Sequence, residues 1–276
     1  MTQLHGISYT VRSILDMGVG LPGAVHHSEW MGEVLFAAGR GRMQFVTCSL
    51  KTFFEAGDYA LFDDTSSIIV KPGQNTFSAP AFRRSVRRAA ARVTGTVNNL
   101  QWVIDALDDS QMVAGIPAAH FRVTVTYGMN IDSPLREEMA DHELPRPTVR
   151  STLDCWCARV DGLPVRAAFP FSPSPIVGTD AASELRSMWA TVMAQLAPNG
   201  TALKTRGELE VQSGAIENRT TSETVISNVR QSQIDDAVLV LPREFTESHT
   251  DMTLGGSSPD DRAAKWRTPP NNLQPG

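Results

Sequence analysis

The chain has 276 residues, 41% of them hydrophobic and 20% charged, with a formal net charge of -5 and a pI near 5.7. That length buries a sizeable core, and the composition is that of a folded globular protein rather than a disordered one. The acidic balance argues against a nucleic-acid binder, which needs a basic surface to neutralise phosphates. No run approaches the roughly 18 apolar residues of a membrane span, and Met1-Thr2-Gln3-Leu4-His5 does not open a secretory leader. The chain reads as soluble: periplasmic or of the cell envelope if a signal peptide was removed, cytoplasmic otherwise.

A first strand is predicted at Ile7–Ile14. Gly18-Val19-Gly20-Leu21-Pro22-Gly23 fits G-x-G-x-x-G, but Pro22 interrupts it, no helical stripe follows, and no carboxylate lies about 20 residues on. The stretch reads as an inter-strand loop, and His26-His27 with Glu29 as surface polar residues in a loop. Short strands follow at Glu33–Ala37, Arg42–Cys48, Asp58–Phe62 and Ser66–Lys71. They are separated by Gly39-Arg40-Gly41, Gly57 and Asp63-Asp64-Thr65, the punctuation of a β-meander.

Ala79–Arg92 has Phe82, Val86, Ala89 and Val93 on one side of a predicted helix. Arg83, Arg84, Arg87, Arg88 and Arg92 fill the rest. Such a row either packs over acidic residues of the same chain or meets an anionic membrane surface or a protein partner. Further strands are predicted at Thr94–Leu107 and His120–Tyr127. In the latter Phe121, Val123, Val125 and Tyr127 share one face and His120, Arg122, Thr124 and Thr126 the other.

Met139–Pro147, with Asp141-His142-Glu143, reads as a surface loop, and Thr152–Val160 as a strand. On that strand Cys155 and Cys157 fall on one face, where thiols serve as small buried apolar groups; a disulfide with Cys48 or a metal are the alternatives. With three cysteines the pairing is open. Leu185, Met188, Trp189, Val192, Met193 and Leu196 form one helical stripe that ends at Pro198-Asn199-Gly200. Strands are then predicted at Leu203–Val211, Thr221–Val229 and Ala237–Leu241. From 247 the composition turns to Ser, Thr, Gly, Pro and Asn and predicts a disordered tail, 247–276, after a single domain, 1–246.

Taken in order, some of these segments resemble a known group. Gly32-Glu33-Val34-Leu35-Phe36 then Gly39-Arg40-Gly41-Arg42-Met43, and Gly57-Asp58-Tyr59-Ala60-Leu61-Phe62-Asp63-Asp64 then Ile68-Ile69-Val70-Lys71-Pro72, are two strand-and-turn passages. With the glycine-led entry Ala114–Val123 and the close Val238–Phe245, they resemble the LolA/LolB and mycobacterial lipoprotein-carrier group of bacterial envelope proteins. The resemblance spans about residues 6–246, and its motifs mark turns rather than chemistry. It implies a β-rich α+β fold: a curved antiparallel sheet, an incomplete β-barrel, with two or three helices on its concave side and an apolar cavity between. Members of the group commonly carry a signal peptide or lipobox cysteine, and this chain shows neither.

The leading functional expectation is a non-enzymatic carrier of a lipid or other apolar ligand. Phe36, Phe45, Phe62, Trp102, Phe121, Tyr127 and Trp156 are the candidate ligand contacts, and no metal or cofactor is expected. The alternative is a structural or protein-interaction module of the envelope without a small-molecule ligand. An enzyme ranks third: there is no G-x-S-x-G, P-loop or kinase set, and catalysis would need His120, His142 or Asp154 to converge in a polar pocket.

Overall fold

The computed structural model describes residues 2–18, 25–49, 55–63, 66–78, 94–132, 146–164, 167–168, 179–214, 216–248 and 264–270. The predicted basic helix with its five arginines, the Asp141-His142-Glu143 loop and most of the glycine motif lie outside them.

The two ends of the domain meet in the middle of one sheet. β1 (Gln3–Gly18) pairs with β2 (Val25–Ala37) on one side and with β11 (Ile216–Asp235) on the other. Beyond β2 the predicted meander runs through β3 (Arg40–Cys48), β4 (Tyr59–Asp63), β5 (Ser67–Lys71) and β6 (Thr76–Ser78). Beyond β11 the sheet continues through β10 (Thr201–Ser213), β9 (Thr148–Ala158), β8 (Ile116–Asp132) and β7 (Thr94–Val113). A short β12 (Thr246–Glu247) joins β6 in parallel; every other pairing is antiparallel.

The sheet is open and curved. Register shifts at Ser8/Thr10, Met31/Gly32, Asn98/Gln101, Ala106/Ser110 and Ala202/Lys204 place extra residues in one strand of each pair, and such bulges bend a strand and raise its twist. Asn99 and Asn228 take positive φ at or beside these shifts, a conformation asparagine accepts more readily than most residues.

One face of the sheet is the inner one. Ile7, Tyr9 and Val11 of β1, Val34 of β2, Met43 and Phe45 of β3, and Val123 and Val125 of β8 belong to a single buried cluster. The helix α1 (Thr179–Leu196) closes that cluster with Leu185, Met188, Val192 and Leu196, the stripe read from the sequence. Of the two or three helices expected there, this is the one among the described residues. A second short helical turn, 264–267, sits on the opposite face.

β4 and β5 are buried on both faces. Ala60, Phe62 and Ile69 point inward, whereas Tyr59, Leu61, Ile68 and Val70 form a second cluster outside with Phe77, Leu241, Phe245 and Trp266. Their cover comes from the C-terminal residues. Trp266 is 2% exposed, so the part of the tail at 264–270 packs on this face. One aromatic side chain with a prepared socket offsets the ordering entropy of a short segment whose average composition is polar.

The predicted strand Ala237–Leu241 is a turn of 3₁₀ helix, Asp236–Leu239. The Asp235 carboxylate accepts from the Ala237 amide and bends the chain away from the sheet, so the apolar run is buried without a ladder. His26, His27 and Glu29 lie on β2 rather than in a loop. They are matched across to β1 by His27 with Asp16 and Glu29 with Arg12, both at 2.6 Å, so cross-strand polar pairing replaces the apolar alternation.

Two hairpins turn on alanine and glycine, Ala38-Gly39 and Ala114-Gly115, with φ of 48° and 76° in the first and 52° and 78° in the second. Two positive φ values suit a type I′ turn, which favours Asn-Gly. Ala114→Asn is expected to raise stability by about 1 kcal/mol, because alanine carries a steric penalty of that order in this conformation. Equal urea midpoints for the two proteins would show that the turn is not strained.

Candidate functional site

Alternation along the strands sorts the candidate residues onto faces. On β8, Phe121 and Tyr127 flank the fully buried Val123 and Val125, and Trp102 of β7 stands opposite Val125. Across the sheet, Phe36, Phe45 and Phe62 come from neighbouring strands. Gly41 lies between Phe36 and Phe62 in the ladder, and a Cβ there would clash with the outer edge of the Phe62 ring. The missing side chain lets the two rings stack at 6.2 Å with an interplanar angle of 25°. Trp30 adds an edge-on contact with Phe45 at 6.0 Å.

Six of the seven candidate aromatics therefore face one interior. Trp156 does not. With Cys155 and Cys157 directed inward, period two sends the residue between them outward, where Trp156 stacks on His120 at 4.3 Å with Lys204 Nζ 5.0 Å from its ring centroid. Cys155 and Cys157 are buried free thiols, and Cys48 is half-buried. Burial pushes the Cys157 thiol up to about 11, and burial with Cys157 alongside raises that of Cys155 as well, so neither is a thiolate at neutral pH.

The inward positions are uncharged along each strand, with Ser13, Thr205 and Thr224 as polar members; Ser13 and Thr224 hydrogen-bond to each other at 3.1 Å. In β1 they are Ile7, Tyr9, Val11, Ser13 and Leu15; in β2 Trp30, Gly32, Val34 and Phe36; in β9 Leu153, Cys155 and Cys157. None of these carries a charge. Tyr9 differs from those polar members: it is 2% exposed, and its own hydroxyl has no hydrogen-bond partner among the described residues. Burial raises its pKa, so it is a neutral donor held inside an apolar room. The unpaired hydroxyl escaped the sequence reading, because alternation shows that Tyr9 points inward but not what its oxygen meets.

On the outer face the structure brings together two of the residues that catalysis would have required. His120 is 6% exposed, with Nδ1 2.8 Å from the Asp109 carboxylate of β7 and Nε2 3.0 Å from that of Asp154 of β9. Arg122 donates to the same Asp154 through Nε at 2.8 Å and a terminal nitrogen at 3.3 Å. Burial works to raise the Asp154 carboxyl, but the hydrogen bonds from Arg122 and His120 outweigh it and hold the group below the ordinary aspartate value. Both imidazole nitrogens are engaged by protein carboxylates, and the ring face is covered by Trp156. The cluster is thus a clamp across β7, β8 and β9 with no nitrogen left for a substrate. Among the described residues no three His, Cys, Asp or Glu side chains converge as metal ligands.

No protein-family model matches the chain, and no curated protein matches it by sequence. Three solved structures align with most of the chain at low identity and low TM-score. A LolA superfamily protein from Nitrosomonas europaea aligns over 84% of this chain and 90% of its own at 8% identity, with a TM-score of 0.29. A DUF1329 family protein from Desulfovibrio piger aligns over 85% and 90% at 11% identity and a TM-score of 0.31. The domain of an outer membrane lipoprotein-sorting protein from Vibrio parahaemolyticus aligns over 85% and 89% at 9% identity and a TM-score of 0.27.

Proposed function

We propose that this protein is a binding protein of the envelope-carrier type that holds an apolar ligand, such as a lipid acyl chain, between the inner face of the sheet and α1. The observation that carries the reading is the Tyr9 hydroxyl, a buried donor without an acceptor among the described residues, set in rows of otherwise uncharged side chains. An unmet buried donor costs about 1–3 kcal/mol, and a ligand carbonyl would satisfy it. Phe36, Phe45, Phe62, Trp102, Phe121 and Tyr127 supply the apolar contacts in this reading, with Trp156 behind them on the other face of β9. The ligand class is an amphiphile with one hydrogen-bond acceptor beside a hydrocarbon part.

The direct test is native mass spectrometry of the purified protein beside its denatured spectrum, followed by titration of the delipidated protein with fluorescent acyl probes. A co-purified species of lipid mass and saturable uptake are expected; a clean mass with no uptake would refute the proposal. Tyr9→Phe is expected to weaken binding of an acyl ester probe about 5–10-fold, the loss of roughly 1 kcal/mol for one hydrogen bond. It should leave a pure hydrocarbon probe unaffected and make the empty protein slightly more stable. Equal losses for both probes would mean that the hydroxyl does not touch the ligand.

A further inference from the structure

We infer that the outer face of β3–β6 is a peptide-binding site: its ligand in the structure is the chain's own segment 264–270, and the same segment of a second copy fits it in trans. Its grip on the segment is that of a receptor on a ligand. Trp266 is the anchor, buried in one cluster with Tyr59 and Leu61 of β4, Ile68 and Val70 of β5, and Phe77 of β6. Arg40, the first residue of β3 and itself 2% exposed, lies 5.3 Å from the Trp266 ring centroid. Its two side-chain hydrogen bonds among the described residues both go to the segment, to the backbone carbonyls of Lys265 and Thr268. A buried cation whose acceptors belong to a stretch more than 220 residues away in sequence is a prepared reader of that stretch.

The remaining contacts fix orientation. Lys265 pairs with Asp63 at 2.6 Å and donates to Ser66 Oγ at 2.7 Å, the Leu241 amide donates to the Trp266 carbonyl at 2.8 Å, and Arg267 donates to the Phe245 carbonyl at 2.9 Å. The segment contributes no strand to the ladder and closes its own turn through Thr268 Oγ1 to the Ala264 carbonyl. It is joined to the rest of the fold through the 15 residues 249–263, which include Gly255-Gly256-Ser257-Ser258. The partner chemistry is therefore an aromatic residue between two basic ones on a single helical turn, Lys265-Trp266-Arg267.

The test uses the full chain carrying Trp266→Ala, which lacks its anchor, and a fluorescein-labelled peptide of residues 261–271 followed by anisotropy. Saturable binding to this variant is expected. Binding to the wild-type chain should be at least tenfold weaker, because the tethered segment competes at high effective concentration. A peptide with Trp266→Ala should not bind, and adding Arg40→Met to the variant should weaken the wild-type peptide at least tenfold. A folded variant that ignores the peptide, or equal binding to both chains, overturns the proposal. Should Trp266→Ala prevent folding, the wild-type chain with a protease site placed within 249–263 and cut after folding decides. Release of the tail fragment by excess peptide on gel filtration supports the proposal, and retention at every peptide concentration overturns it.

Discussion

Arg40→Met is expected to lower stability by about 3 kcal/mol, seen as a lower midpoint in urea at an unchanged slope. Methionine replaces the apolar stem of arginine and keeps much of the packing on Trp266, so the change isolates the guanidinium. The carbonyls of Lys265 and Thr268 would lose their donors, and hydrogen bonds made by a charged group contribute about 1.5–3 kcal/mol each. Two terms work against the full sum: the Arg40 Nε has no acceptor among the described residues, and a buried cation carries a desolvation penalty that methionine does not. A wild-type midpoint in the variant would mean that those penalties cancel the bonds. The effect should also depend on the docked segment. In a Trp266→Ala background the carbonyls have left, and Arg40→Met should cost less than half as much, a coupling that a double-mutant cycle reads directly.

What the sequence made legible was whatever depends on local periodicity. The strand around Phe121–Tyr127 and the stripe from Leu185 to Leu196 carry their burial pattern in successive residues, and the structure buries those residues in one cluster. The meander from Glu33 to Lys71 was readable from its turn residues for the same reason. Elements stabilised by a distant partner were not. Val25–Glu29 has little alternation of its own and is a strand through its backbone ladder to β1, beside which Asp16 and Arg12 meet His27 and Glu29. Val238–Leu241 has strand composition, and one capping carboxylate at Asp235 overrides it.

The candidate sites divide in the same way. The inward direction of six aromatics followed from period two, and the same rule, applied to the neighbours Cys155 and Cys157, already sends Trp156 outward. The docked segment carried a signal too: Trp266 is the one tryptophan in a 30-residue polar tail, and averaging over the tail hides it. Arg40, between two glycines, reads as a turn residue. Its burial depends on residues more than 220 positions away, beyond what local pattern can report.

Asp154→Asn tests the clamp across β7, β8 and β9, and its size should depend on pH in a defined direction. At neutral pH the variant is expected to be less stable by about 2–3 kcal/mol, since the amide accepts weaker hydrogen bonds than the carboxylate from Arg122 and His120. The folded protein holds this carboxyl below the ordinary aspartate value of 3.8. The unfolded chain therefore takes up the proton first as the solution is acidified. The contribution of the group is complete above about pH 5 and is lost as the pH falls through the unfolded value to the lower folded one. Wild type and variant should converge along that acid limb, because a protonated Asp154 is as neutral as the amide that replaces it. Urea midpoints for the two proteins measured stepwise from pH 7 to pH 2 give the comparison. A gap that stays constant to the lowest pH would show that the loss comes from altered packing around the substituted side chain and not from the charge.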